Sequence, residues 1–306
     1  MDQIQYIRRC NLYVTGQSGD GLDLSNLHIK FSIKKSDAQT PNAAEITVYN
    51  LSDTTAQFIR KEFTRVTLQA GYESNIGVIF DGNIKQCRIG RENGTDTYIN
   101  ISAGDGDDAY NFAVVSGTLA AGATQADQIA ASANAMNSRG VTLGYVGSTP
   151  DAVLPRGKVL FGMARDYLRS SSASSSATWS IQDGKIQVVE RTAVLPDQAV
   201  RLTSKSGLIG TPEQTEKGIA IRCLLNPQIK AAGRVQIDQS NVQEAAIPTA
   251  QKGSAANDPP AIASDGLYRV LVVEYVGDNR GNDWYSDLTC LAMDDSAVPA
   301  DQVSPQ

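Results

Sequence analysis

Short runs in which apolar and polar residues alternate recur along this chain, and they constrain its fold more than any other feature. Ile29, Phe31 and Ile33 alternate with polar neighbours, and Ile46 and Val48 do so in the next run. Because successive side chains of a strand point to opposite faces, these runs predict strands with one buried and one solvated face. Similar runs cover residues 66–71, 78–84, 87–89 and 98–101. The first 110 residues are therefore predicted to form a β domain.

One turn signal and one helix signal interrupt this β pattern. Asn93-Gly94 lies between two of the strand-like runs, and this dipeptide is typical of a tight hairpin. Ser52 can cap a helix that runs through Ala56 and Ile59 to Phe63 with one narrow apolar stripe. We expect this helix to lie across an open end of the barrel or sheet.

Between residues 111 and 195 the pattern changes to two helices and a hairpin. Thr124 with Asp127 resembles a capping box and predicts an Ala-rich helix that ends near residue 137. A second helix is predicted from residue 157 to about residue 169, followed by a Ser-rich linker over residues 170–176. Asp183-Gly184 then predicts a hairpin turn. This segment is predicted to be a small α+β domain.

Strand-like runs return after residue 195 and cover residues 200–203, 218–225, 234–238, 267–276 and 284–293. Residues 239–266 are rich in small and polar residues and have almost no periodic apolar signal, which predicts a mobile loop or arm. The tail after residue 293 is predicted to be loose as well. The predicted fold is mainly β with an α+β insertion: β-barrel domains over 1–110 and 196–306 flank an α+β domain over 111–195.

Composition excludes several classes of function. The net charge is −6, and no block of five or six like charges is present, which argues against binding the outside of nucleic acid. The four cysteines are widely spaced and belong to no CxxC pair, so we expect them to be reduced and mostly buried. No run of 18 apolar residues and no apolar segment near Met1 is present, so we expect neither a signal peptide nor a membrane anchor.

No catalytic, cofactor-binding or metal-binding residue is predicted. The single histidine, His28, lies on the polar side of a strand without acidic or Cys partners at ligand spacing. Ser18 lacks the second glycine of a nucleophile elbow and is interpreted as a turn residue. The aspartates at 105, 107 and 108 fail the EF-hand pattern at Tyr110 and Ser116, which favours an acidic turn at a domain edge. A pair of carboxylates brought together only by folding stays open.

Three groups of residues resemble the baseplate hub proteins of tailed bacteriophages, particularly those with contractile tails. The first group is AEITVYNLS at 44–52, VTLQAGY at 66–72 and IFDGNI at 79–84. The second is GLIGTP at 207–212 and GIAIRCLLNP at 218–227, and the third is YRV at 268–270 with GD at 277–278 and DW at 283–284. Together they span nearly the whole chain, and none of them is a catalytic signature.

The resemblance implies a structural role without enzymatic activity or a cofactor. Its β domains would be akin to the tail-tube protein, and three subunits would form a ring that presents six of them. That homotrimer would join the hexameric tail tube to the trimeric central spike and enclose a channel through which DNA passes without specific binding. Other baseplate proteins, with the tape measure protein among the candidates, are further implied partners. The implied location is the tail baseplate of the virion, after assembly in the host cytoplasm.

Two alternative functions stay open. The first is a related component, either the tail-tip protein of a noncontractile phage or the spike base of a secretion system. The second is a cell-wall hydrolase carried on the tail, for which the α+β segment at 111–195 is the motivation.

Overall fold

The computed structural model describes residues 7–16, 19–149, 153–215, 218–237, 242, 263 and 265–293. It is 54% strand and 16% helix, which confirms the mainly β class. Most of the predicted arm at 239–266 and the whole predicted tail after residue 293 lie outside the described residues, as does Ser18.

The N-terminal part consists of seven strands and one helix. Apolar residues of the alternating runs, such as Ile29, Ile33 and Ile46, are fully buried, which confirms the predicted orientation of these strands. In chain order the elements are β1 (Arg8–Gly16), β2 (Gly21–Asp23), β3 (His28–Ser36), β4 (Ala43–Tyr49), α1 (Asp53–Glu62), β5 (Phe63–Tyr72), β6 (Asn75–Arg91) and β7 (Thr97–Gly104).

Helix α1 begins where the sequence predicts, because the Ser52 hydroxyl accepts a hydrogen bond from the Thr55 amide. Ala56 and Ile59 are buried, and the helix packs against β5 and β6. Phe63, predicted as part of the helix, is instead the first residue of β5.

The middle part contains three helices and five strands: α2 (Asp107–Phe112), β8 (Val114–Leu119), α3 (Gln125–Asn137), β9 (Thr142–Val146), β10 (Lys158–Met163), α4 (Ala164–Ser174), β11 (Ala177–Gln182) and β12 (Lys185–Glu190). The Thr124–Asp127 capping box is present at the start of α3. Asp183 and Gly184 have φ angles of 52° and 73° and form the predicted turn between β11 and β12.

The predicted helix over residues 157–169 is wrong in its first half. Residues 158–163 form β10, which pairs antiparallel with β8, and Gly162 has a φ of 151° that a helix does not accommodate. Helix α4 begins only at Ala164 and continues through the predicted Ser-rich linker. Its serines are compatible with a helix because Ser174 donates to the carbonyl of Ser170 and Ser171 accepts from Gln128.

The C-terminal part consists of β13 (Val200–Leu202), β14 (Leu208–Thr215), β15 (Gly218–Leu224), β16 (Arg234–Ile237), β17 (Leu267–Asp278) and β18 (Trp284–Ala292). These strands agree with the predicted runs, except that β14 coincides with none of them. It overlaps the GLIGTP segment at 207–212, which carries part of the family resemblance. Trp284 is almost fully buried and contacts Phe31 edge to face at 5.6 Å, so it anchors the last hairpin to β3.

One sheet of 13 strands unites the N-terminal and C-terminal parts. Its main path is β14-β15-β18-β17-β3-β4-β7-β6-β5-β1-β2, and β13 and β16 join at β17. Strand β17 makes the connection, because residues 272–278 pair with β3 while its other neighbour is β18. Two separate closed barrels were expected, but the sheets are not closed into barrels among the described residues.

Two large hydrophobic clusters accompany this architecture. One cluster unites buried residues of both parts of the long sheet, for example Leu12, Ile46, Val273 and Leu288. The other lies between residues 109 and 188 and includes Leu160, Leu168 and Trp179. The middle part therefore has its own core, while the domain limits at residues 110 and 195 stay a prediction.

Candidate assembly surface

The first end of the long sheet is strand β14. Its only strand partner among the described residues is β15, so its other edge has no strand partner in that part of the chain. Pro212 lies within β14 at a break in the pairing register between Ile209 and Glu213, and proline is tolerated there because an edge strand needs fewer ladder hydrogen bonds. Ile209 is exposed on this strand.

The other end of the sheet is formed by β1 and β2. Strand β2 has three residues and covers only Tyr13, Val14 and Thr15 of β1. The part of β1 that runs from Arg8 to Asn11 pairs with β5 alone. An uncovered strand edge is a template for pairing with another chain, so both ends of the sheet are candidate assembly surfaces.

The solvated face of the sheet carries charges of both signs in contact with one another. Arg222 donates to both carboxylate oxygens of Asp287, at 2.6 and 2.9 Å. Arg65 similarly holds Asp81 at 2.8 and 2.6 Å, where the sheet faces Gly140 and Gly184 of the middle part. Weaker pairs join Lys30 to Asp278 and Arg88 to Glu45, each at 3.8 Å. This face therefore combines cations with carboxylates instead of presenting a uniformly cationic strip.

His28 lies on this face and has a partner that the sequence did not reveal. Its Nε2 is 2.8 Å from Oδ1 of Asp278, and its ring stacks on Tyr49 with centroids 4.6 Å apart. Burial raises the pKa of Asp278, but hydrogen bonds from the Arg280 amide and from His28 outweigh it and leave this pKa below its usual value. The two residues are 250 positions apart and meet because β17 pairs with β3.

Buried polar groups connect the long sheet to the turn between β11 and β12. Asp105 is fully buried and accepts hydrogen bonds from the backbone amides of Asp183 and Gly184, at 2.6 and 2.9 Å. Lys35, which is 3% exposed, forms an ion pair with Asp183. Burial raises the pKa of Asp105 to about 7, although Lys35 and the two amides oppose this effect. We call these residues, with Asn42, the polar junction.

Asn42 completes the polar junction with an amide side chain that bridges β3 and β11. Its Oδ1 accepts from the Ser36 amide at 2.9 Å, and its Nδ2 donates to the Ile181 carbonyl at 2.8 Å and to Gln182 at 3.1 Å. The loop between β3 and β4 is thereby hydrogen-bonded to β11.

A second buried contact joins β17 to the end of β12. Arg269 forms an ion pair with Asp37 at 2.7 Å and donates to the carbonyls of Glu190 and Arg191. Burial raises the pKa of Asp37 and lowers the pKa of Arg269, and the attraction between the two charges opposes both shifts. The middle part is thus attached to the sheet by paired charges and backbone hydrogen bonds.

The three aspartates near the end of β7 have separate partners. Asp105 belongs to the polar junction, Asp107 pairs with Lys85 at 3.0 Å, and Asp108 pairs with Arg139 at 2.8 Å. Among the described residues, no three His, Cys, Asp or Glu side chains form a group that could bind a metal ion. Instead of one acidic turn, Asp105 is buried before α2, whereas Asp107 and Asp108 are the first two residues of that helix.

A cleft of about 670 Å³ lies beside the polar junction and bears on the hydrolase alternative. Three aspartates contribute to its lining, namely Asp81, Asp183 and Asp197. Two of them are already engaged by cations, since Asp81 pairs with Arg65 and Asp183 pairs with Lys35. This arrangement does not resemble two free carboxylates that face each other across a substrate.

The cysteines are free thiols, as predicted. Cys223 and Cys290 are buried, whereas Cys10 and Cys87 are half-buried. Burial raises the pKa of Cys10 and of Cys223 to about 12, which suppresses their reactive thiolate form at neutral pH. Within the described part of the chain, no helix is long and apolar enough to cross a membrane.

Comparison with known proteins identifies relatives at the level of the family and of the fold. The model of the baseplate hub gp41 family matches residues 11–245, which is well over half of the chain. No curated protein matches the sequence.

Solved structures of phage tail proteins share this fold at very low sequence identity. The 43 kDa tail protein of prophage MuSo2 from Shewanella oneidensis has a TM-score of 0.58 and 7% identity, with 96% of this chain and 99% of that one covered. A tail protein from Neisseria meningitidis MC58 has a TM-score of 0.57 and 10% identity, with coverages of 93% and 96%.

A type VI secretion system component from E. coli, described as similar to T4 tail proteins gp27 and gp5, has a TM-score of 0.53 and 7% identity, with coverages of 90% and 77%. Likeness at this identity shows the fold alone, whereas the family match covers most of the sequence. The chain therefore belongs to the baseplate hub gp41 family, and it is a structural component of a phage tail.

Proposed function

We propose that the chain forms a homotrimeric ring that joins the hexameric tail tube to the trimeric central spike and encloses the DNA channel. The observation that carries this proposal is the long sheet, which takes seven strands from the first part of the chain and six from the last and leaves an uncovered edge at each end. Three copies would supply six such parts. A ring with this composition matches sixfold symmetry on one side and threefold symmetry on the other.

The proposed domains follow the same division. Residues 1–110 and 196–306 form two tube-like β domains that share the long sheet, and residues 111–195 form the α+β insertion between them. The separate hydrophobic cluster between residues 109 and 188 supports the insertion as a unit. The edges of β14 and of β1 with β2 are the proposed ring contacts, because pairing there would satisfy exposed backbone groups.

The distribution of charge is compatible with a channel wall along which DNA passes. The chain is acidic, with a net charge of −6, and cations such as Arg222 and Arg88 on the solvated face lie beside carboxylates. Phosphate groups bind tightly where several unpaired cations act together, and paired cations offer much less. The proposed role is therefore to enclose DNA without specific binding, and without catalysis.

The remaining partners follow from the position of such a ring. Its upper face contacts the tail tube protein, its lower face contacts the central spike, and its periphery contacts other baseplate proteins, with the tape measure protein as a further candidate in the channel. The protein assembles in the host cytoplasm and remains in the tail of the virion.

Mass measurement on assembled protein tests this proposal. The chain is produced together with the spike and tube proteins of the same phage, and native mass spectrometry is applied to the purified complex. Three copies of the chain for each spike trimer are expected. A chain that stays monomeric in the presence of both partners would contradict the proposal.

A secretion-system spike base is the second candidate, and the type VI secretion neighbour is the observation that favours it. The two candidate functions share the fold and differ in the genes that surround the gene of this chain. A neighbouring gene set that contains phage head and tail genes supports the hub, whereas a set that encodes secretion-system membrane components supports the spike base.

A further inference from the structure

Lys35 occupies a position of β3 at which the alternating pattern places an apolar residue. Ile29, Phe31 and Ile33 precede it at every second position, and all three are buried. Lys35 follows them on the same face of the strand and is only 3% exposed. Its neighbour in the pairing with β17 is Val273, which is fully buried. A primary amine is therefore held on the core face of the long sheet, where lysine is rare unless its charge is paired.

The partner of this amine belongs to the middle part of the chain. Nζ of Lys35 donates to Oδ1 of Asp183, which lies 148 positions further on at the turn between β11 and β12. Asp105 fixes this turn, because it accepts hydrogen bonds from the backbone amides of Asp183 and Gly184 at 2.6 and 2.9 Å. The amine of one element and the carboxyl group of another are thereby kept in direct contact.

The surroundings of the pair are largely shielded from water, with one opening. The Asp183 side chain is 23% exposed, and both members of the pair contribute to the lining of the cleft of about 670 Å³. Asp81 also lines this cleft, but it already pairs with Arg65. The cleft gives a small molecule such as water a route out of the site.

An amine and a carboxyl group in this situation have the requirements for condensation to an amide. The fold holds the reacting atoms together, so the reaction does not depend on a chance encounter of two groups in solution. Attack by nitrogen requires the neutral amine. Transfer of one proton within the pair gives an amine and a carboxylic acid, and this neutral form costs less where water is scarce than in bulk solvent.

We propose that Lys35 and Asp183 form an intramolecular isopeptide bond. Nζ of Lys35 attacks Cγ of Asp183, so that a C–N bond forms and one C–O bond of the carboxyl group breaks. The oxygen leaves as water, and both hydrogens of that water come from the Lys35 ammonium group. The ion pair is thus converted to an uncharged amide and one water molecule, without an oxidant, a reductant or a further reactant.

This bond joins β3 of the long sheet covalently to the turn between β11 and β12. It closes a loop of 148 positions, and such a closure restricts the unfolded chain in the way that a disulfide does. The middle part then stays attached to the sheet even where the hydrogen bonds of the polar junction are broken. The inference goes beyond the proposed function and does not rest on the trimer, because a single chain contains both reacting groups.

The intact mass of the denatured wild-type chain is the first test. The purified protein is incubated at neutral pH, unfolded and measured by electrospray mass spectrometry. We expect a mass lower than that of the sequence by one water molecule. A chain that keeps the full mass of its sequence after prolonged incubation overturns the proposal.

A tryptic digest locates the loss of water. Trypsin does not cleave after a lysine whose amine is acylated, so the bond should give one branched peptide that joins residues 35–60 to residues 170–185. Ring closure between Asp183 and the Gly184 amide loses the same mass but leaves these two peptides separate. Loss of water without the branched peptide therefore contradicts the proposal.

A matched pair of variants provides an independent measurement. Lys35→Arg keeps the positive charge beside Asp183 but replaces the amine with a guanidinium group, and it should have the full mass of its sequence. Lys185→Arg makes the same change at an exposed lysine that lines the same cleft, and it should still lose one water molecule. Loss of water in Lys35→Arg, or its absence in Lys185→Arg, argues against the assigned bond. The mass and the branched peptide of the wild type decide the question even if Lys35→Arg does not fold.

Discussion

Asp105 shows how much the role of a single residue depends on the chain that folds around it. In the sequence it belongs to an acidic turn together with Asp107 and Asp108, and nothing distinguishes the three. In the structure it is fully buried and holds the backbone amides of Asp183 and Gly184, 78 and 79 positions away. Asp107 and Asp108, in the first turn of α2, pair with Lys85 and Arg139 near the surface.

The raised pKa of Asp105 leads to a prediction about pH. A carboxyl group whose pKa rises from 3.8 to about 7 on folding binds its proton more tightly in the folded state. Its contribution to stability is complete below pH 3.8 and is lost as the pH rises through 7. Between these limits the free energy of unfolding of the wild type should fall by at most about 1.4 kcal/mol per pH unit because of this group. Asp105→Asn should remove this decline.

Denaturant titrations of both proteins at several pH values measure this difference. Asp107→Asn, a change in the carboxylate two positions further on at the start of α2, is the control and should keep the wild-type slope. Parallel pH profiles for wild type and Asp105→Asn would show that Asp105 does not titrate in this range.

The Arg269–Asp37 pair leads to a second prediction at the scale of residues. Arg269→Met leaves Asp37 largely buried without its cation and removes two hydrogen bonds to backbone carbonyls. We expect a loss of roughly 3 kcal/mol in the free energy of unfolding, part of which returns in the double variant Arg269→Met/Asp37→Asn. Arg222→Met, which breaks an exposed pair with Asp287, should cost less than about 1 kcal/mol. Equal losses for the two arginines would show that burial does not govern these pairs.

At the scale of elements, the boundary between β10 and α4 was the least predictable. The sequence from 157 to 169 contains apolar residues at spacings that suit a helix, and only pairing with β8 makes its first half a strand. A short apolar run does not distinguish helix from strand by period alone. By contrast, the starts of α1 and α3 were predictable, because Ser52 and Thr124 cap them through hydrogen bonds within one turn.

Both hairpin turns were predicted from dipeptides that are typical of a tight turn with positive φ angles. Only the Asp183-Gly184 turn has this geometry. Asp183 and Gly184 both have positive φ, as a two-residue hairpin turn requires. Neither Asn93 nor Gly94 has positive φ; instead, the Asn93 side chain accepts from the amides of Thr95 and Asp96, at 2.9 and 2.8 Å. The position of that turn was predictable, but its geometry was not.

Strand glycines lead to a prediction about packing between elements. A Cβ atom at Gly82 would lie 2.6 Å from the Gly104 carbonyl oxygen and 2.8 Å from the Phe80 ring, where β6 passes from β5 to β7. Gly82→Ala is therefore expected to destabilise the protein by about 1–3 kcal/mol. Gly117→Ala, within strand β8, meets nothing within 4 Å and is the control. Thermal unfolding measures both, and similar midpoints would contradict this account of Gly82.

At the scale of the whole molecule, the uncovered edge of β14 leads to a prediction about assembly. Ile209→Lys places a charge on this edge, which opposes pairing with another strand while the fold is kept. We expect the variant to unfold at the wild-type temperature and to assemble at least tenfold less well with its partners. Phe58→Lys adds the same charge on α1, away from the edges, and should assemble normally. Normal assembly of Ile209→Lys would remove β14 from the proposed ring contacts.

The sequence by itself determined the class of the fold, the starts of α1 and α3 and the orientation of most strands, because these depend on side chains a few positions apart. It also carried the resemblance to baseplate hub proteins that the family match confirms. Only the tertiary structure decided that one sheet unites the two β parts through β17 and β3, that His28 meets Asp278, and that Asp105 is buried at the polar junction. The physical reason is distance along the chain: these contacts join residues tens to hundreds of positions apart, and no local pattern specifies them.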